Sequence, residues 1–164
     1  MYEFAFTIFF GFLLGLVPPW YARKRRLKTH WCALRAEILQ CKEKADILLK
    51  DKVQSPLYRL PLVAYQTSYP ILLADGAVAE DEVSVLGRCY ALVEDINRGL
   101  DNAAALYMSG NVVENKLASE FSRNQLKAKN LIEPQTGSPS LFEQAKAIID
   151  LKIALKWWQY RKYA

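Results

Sequence analysis

A single histidine, His30, is the most restrictive feature of this sequence. With one imidazole there is no His-Glu-x-x-His zinc helix and no set of Glu-x-x-His pairs for a di-iron bundle. A Ser-His-Asp arrangement has its parts nowhere except beside His30 itself. C-x-x-C, a Walker loop and G-x-G-x-x-G are also missing. Three cysteines, Cys32, Cys41 and Cys89, are odd in number and unpatterned in spacing, as a reducing compartment permits. Sustained period-two alternation and an Asn-Gly hairpin signal are lacking, so no sheet is expected. No catalytic constellation is found and no cofactor is implied. His30 reads as a polar residue beside a membrane.

What the chain does contain is unevenly placed. Its 164 residues suit one domain, and 24% charged residues are too many for a polytopic membrane protein. Five of the seven phenylalanines fall within the first twelve residues. Arg23, Lys24, Arg25, Arg26 and Lys28 supply the whole net charge of +5, because the other 17 basic residues equal the 17 acidic ones.

Residues 4–22 are nineteen in a row without a charge. At about 1.5 Å per residue they reach roughly 28 Å, near the hydrocarbon thickness of a bilayer. Tyr2 stands at one end and Trp20 and Tyr21 at the other, where amphipathic rings favour the headgroup level. Pro18 and Pro19 are expected to end or kink the helix there. A cleaved signal peptide would start with positive charge and end at small residues, whereas here Glu3 leads and the cations follow. An uncleaved anchor is therefore expected, with the N-terminus outside and the rest of the chain on the cytoplasmic side. Thr7, Gly11 and Gly15 recur every fourth residue, a small-residue stripe of the kind that lets two membrane helices approach. Ordinary glycine usage in membrane helices explains the same spacing. The cation cluster reads as a topology signal that also touches anionic lipid. Nucleic acid is not an expected partner, since no other basic surface or motif accompanies it.

The remainder has helical periodicity. Trp31, Leu34, Ile38, Cys41, Ala45 and Leu48 are spaced three and four apart, with charged residues around them. Val83, Leu86, Tyr90, Val93, Asn97, Leu100, Ala104 and Tyr107 repeat the pattern, and Val85, Cys89, Leu92 and Ile96 form a second stripe beside them. Glu80, Asp81 and Glu82 suit the first turn of that helix, and Gly110 its stop. Between the two stripes, prolines at 61 and 70 predict short helices over 61–67 and 70–74. Asn111 and Glu114 are spaced as a reciprocal cap for a third helix, with Val113, Leu117 and Phe121 on its apolar face. Residues 130–140 form the clearest loop, and a last helix is expected over 141–160. Broad apolar faces and short connections favour an antiparallel bundle within one chain over an intermolecular coiled coil.

Two stretches bear on binding. Asp75, Gly76, Val78 and Glu82 occupy places five, six, eight and twelve of an EF-hand loop, but Ile71 and Leu73 fall where the first and third oxygen ligands belong. The match fails. Asp-Gly-x-Val before an acidic helix start also resembles the turn of tellurite-resistance-type helical domains, over about a dozen residues, and it is a general helix-turn-helix solution. Gly76 as a left-handed cap and residues 80–82 as a helix start account for the pattern without a ligand. Asp75, Glu80 and Glu82 stay as weak ligand candidates. At the other end, Trp157, Trp158 and Tyr160 lie among Lys156, Arg161 and Lys162. Such interleaving suits either a membrane interface beside Arg23 to Lys28, at the level of the aromatic Trp20 and Tyr21, or a cap on the bundle core.

The expected chain is all-α: a single transmembrane helix over 1–22, a basic collar over 23–29 and an antiparallel helical bundle over 30–164. The expected role is non-catalytic. It is a membrane-anchored scaffold, assembly or accessory protein, with lipid and another membrane protein or itself as partners. The alternative is a small tethered sensor binding a ligand or ion near residues 75–82.

Overall fold

The computed structural model describes residues 2–50, 57–109, 114–134 and 137–155, without the side chains of 2–10, 12–14, 16–18, 114 and 115. Five helices and no strand are found among the described residues: α1 Tyr2–Leu49, α2 Val63–Ala74, α3 Glu80–Met108, α4 Glu114–Ile132 and α5 Leu141–Ala154. The all-α expectation holds. Among the described residues, no helix is long and apolar enough to cross a membrane. Most of the 4–22 run lies where side chains are not described, and so do Thr7 and the terminal Trp157, Trp158 and Tyr160.

Helix direction follows from which residues meet. Along α1, Glu37 meets the start of α2, His30 its middle and Arg26 the residue after its end, so the two run antiparallel. Arg35 pairs with Asp150 while Lys42 lies over the Phe142 ring, so α5 is antiparallel to α1 as well. Asp95 pairs with Lys127 and Gly99 abuts Asn124, which sets α4 against the C-terminal half of α3 in the opposite sense. Lys152 of α5 meets Glu82 at the start of α3. α4 and α5 thus form a broken leg that packs on both α1 and α3.

The core is the predicted stripes brought together. Trp31, Leu34, Ile38, Cys41, Ala45 and Leu48 are all buried, and Leu86, Cys89, Tyr90, Val93, Ile96 and Leu100 face them across the bundle. The leucines, isoleucines and valine among them each contribute about 1.5–3 kcal/mol on full burial. Tyr65 of α2 is stacked between Tyr69 and Tyr90, with ring centroids at 5.0 and 4.1 Å. Asn97, the polar break in its stripe, accepts from the Leu60 amide at 2.8 Å and donates to the Leu60 carbonyl at 2.9 Å. That pairing holds the extended link before α2 against α3.

Several boundaries differ from expectation. α1 does not stop at Pro18 and Pro19; it is continuous from Tyr2 to Leu49. Proline has a helical φ of its own, and the bonds it removes are local, so strong flanking turns carry the helix through. α2 is one helix rather than two, with Pro70 inside it. The carbonyl that Pro70 leaves unpaired belongs to Gln66, and both residues are exposed, so the gap is open to solvent. α4 continues to Ile132, into the predicted loop. α5 closes at Leu155, whose ψ of 127° is extended, short of the expected end. Its start is fixed by Ser140 and Glu143, which accept each other's backbone N–H at 3.2 and 3.0 Å. The proposed Asn111 cap and Gly110 stop lie outside the described residues.

Candidate membrane-proximal site

The basic collar and the acidic turn, read separately in the sequence, meet in the fold. Arg23 donates from Nη2 to the Asp75 carbonyl at 2.9 Å and lies 3.4 Å from its Oδ1. Arg26 donates to Asp75 Oδ2 at 3.1 Å. Both arginines are more than half exposed, whereas the Asp75 side chain is only 18% exposed. Arg25 and Lys28 are exposed and Lys24 is half-buried. Leu27, within the cluster, is buried and is the first of α1's described side chains to join the core.

Asp75 is held in place by the end of α2. The Gly76 amide donates to Leu73 O at 3.0 Å and the Ala77 amide to Leu72 O at 2.9 Å. That pair of bonds requires a left-handed residue, and Gly76 has φ 64°. The chain then turns straight into α3. Glu82 in its first turn accepts the Ala79 amide at 2.7 Å and pairs with Lys152 Nζ at 2.7 Å. Lys152 is 1% exposed and Glu82 is buried, so this is an interior ion pair.

The weak ligand candidates therefore divide. Asp75 is engaged by two arginines, Glu82 by a lysine and a backbone amide, and Glu80 alone is exposed. No group of three or more His, Cys, Asp or Glu side chains suited to a metal is found among the described residues. Gly11 and Gly15 are exposed, with nothing within 4 Å of where a Cβ would sit. Trp20 and Tyr21 are 47% and 64% exposed, just before the collar. His30 shares a hydrogen bond of 3.0 Å with Ser68 Oγ.

No family model, curated protein or solved structure matches the chain.

Among the polar residues that sequence reasoning missed is Glu37. Glu37 is buried and its carboxylate accepts the amides of Ala64 and Tyr65 at 2.5 and 2.8 Å. It caps α2 from a neighbouring helix, satisfying donors that the helix start leaves open. The only sequence signal is Glu37 standing directly before Ile38 of the apolar stripe. The thiols sit apart from chemistry. Burial pushes the Cys89 thiol up to about 12, and burial raises Cys41 as well, so neither is a thiolate near neutral pH. Cys32 is the exposed cysteine.

Proposed function

We propose that the chain is a single-pass membrane protein, N-out and C-in, whose helical bundle serves as a non-catalytic scaffold or accessory subunit at the inner membrane surface. The observation that carries this reading is the unbroken α1, which joins the charge-free 4–22 run to the bundle with the cation cluster at the junction. Cations immediately after an apolar run favour retention on the cytoplasmic side. Trp20 and Tyr21, exposed beside them, are the residue types that settle at headgroup depth. The partner proteins are expected to dock on the exposed helix faces. The ion-sensor alternative has less support, since two of its three carboxylates already have partners within the fold.

The test is alkaline extraction of membranes from cells making the full chain, together with labelling of Cys32 by an impermeant maleimide. The expected result is a chain that resists extraction and whose Cys32 reacts only after the membrane is opened. Release into the supernatant would overturn the anchor, and labelling in intact cells would reverse the topology. Purification in mild detergent should then retain a companion protein or a second copy. A lone monomer counts against the scaffold role.

A further inference from the structure

The C-terminal tip of α2 carries apolar side chains that the core does not use. Leu72 is fully buried, but its neighbours Ile71 and Leu73 are 37% and 41% exposed, and Pro70 and Ala74 are exposed too. The Asp75 contacts fix where this tip lies. Arg23 and Arg26 hold the residue that follows α2, so the tip stands beside the collar and not at the far end of the bundle. Trp20 and Tyr21 are exposed on the adjoining turn of α1. One end of the molecule therefore presents two aliphatic side chains, two aromatic rings and five cations.

Depth along α1 distinguishes this tip from other exposed apolar residues. Tyr21 precedes the two clasping arginines by two and five residues, or about 3–8 Å of helix rise. A bilayer's headgroup layer is roughly 5–8 Å thick on each side. Val63, at the opposite end of α2, lies near Glu37, about 21 Å farther along α1 than Arg23. An acidic residue at an anionic surface is normally repelled, but Asp75 reaches it already paired with two guanidiniums.

We infer that the tip of α2, through Ile71 and Leu73, is a second lipid contact that sits in the headgroup layer of the same bilayer that holds α1. The inference rests on the anchor proposed above. The bundle then touches the membrane at two points, α1 and α2, and has one fixed face toward it.

The experiment uses the full chain with Cys32→Ser, leaving only the buried Cys41 and Cys89. Leu73→Cys and Val63→Cys are each labelled with a bimane fluorophore. The proteins are reconstituted into vesicles of phosphatidylcholine and phosphatidylglycerol carrying a nitroxide quencher near the headgroup. Position 73 is expected to be quenched several-fold more than position 63. Equal quenching in a chain that floats with the vesicles overturns the inference and leaves the anchor standing. A chain that does not float with vesicles overturns both. Ile71→Cys repeats the measurement on the same turn should Leu73→Cys fold poorly. A tip covered by protein rather than lipid would leave 71 and 73 unquenched, and that too sinks the proposal.

Discussion

The collar and the α3–α5 seam each hold an acid against a base, and they do so in opposite surroundings. At the collar, Asp75 is shared by Arg23 and Arg26, whose side chains are 54% and 58% exposed. At the seam, the Glu82 and Lys152 side chains are 9% and 1% exposed and stand 2.7 Å apart. Water screens the first set, so its pairs are adjustable and individually weak. The second has no water to fall back on, so each charge depends on the other. The collar can yield to another anion, such as a lipid phosphate; the seam locks α5 to the start of α3.

The comparison is broken most directly at Lys152. Lys152→Met leaves Glu82 charged and buried, and a loss of about 3–5 kcal/mol in chemical denaturation is expected. Adding Glu82→Gln should recover part of that loss, because the amide oxygen still accepts from Ala79. A Lys152→Met chain as stable as the parent would mean the seam is as wet as the collar.

Gly99→Ala tests the other half of α3. A Cβ at this position would run into the side chain of Asn124, which is fully buried and has no hydrogen-bond partner among the described residues. The two helices must separate or Asn124 must leave its rotamer, at about 1–3 kcal/mol. A thermal midpoint unchanged by this substitution would show that α3 and α4 are not in close contact there.

Asp75→Asn is expected to cost no more than about 1 kcal/mol, and the difference should shrink as salt is added. A loss matching that at Lys152 would erase the distinction between the two regions. Asp150, with a third of its side chain exposed, falls between them. Hydrogen bonds from Lys146 at 2.6 Å and from Arg35 at 2.6 Å hold its carboxyl below the usual range. The folded state therefore binds this proton less readily than the unfolded chain does. Its stabilisation is present above the ordinary carboxylate pKa and lost as pH falls through the lower, native one. Melting curves on the acid side should show a shallow loss in the parent that Asp150→Asn lacks, and identical pH profiles would refute the assignment.

The apolar stripes were legible because burial leaves a period of three and four residues in the sequence, and Trp31 to Leu48 follows it without exception. The left-handed Gly76 and the acidic start of α3 were legible for the same local reason. The Arg23–Asp75 contact was not, since the partners are 52 residues apart and nothing local couples them. The burial of Lys152 was not legible either, because only packing of α5 on α3 reveals it. Glu37 likewise reads as surface charge until α2 is laid against α1. Pro70 misled because proline marks a helix start more often than an exposed gap inside one. Ser140 and Glu143 carry the same reciprocal-cap spacing as Asn111 and Glu114, and spacing alone does not rank the two pairs.

One consequence follows from α1 having no break between the charge-free run and the core. Membrane helices lean by about 20° on average. From Leu27 to Leu49 the rod extends about 33 Å at 1.5 Å per residue. A lean of that size carries its far end sideways by about 11 Å, as a mast moves when its foot is tipped. On the proposed anchor, a bilayer thickness or a neighbouring span that alters the lean would sweep the whole bundle across the membrane surface, with no break in α1 to absorb the motion.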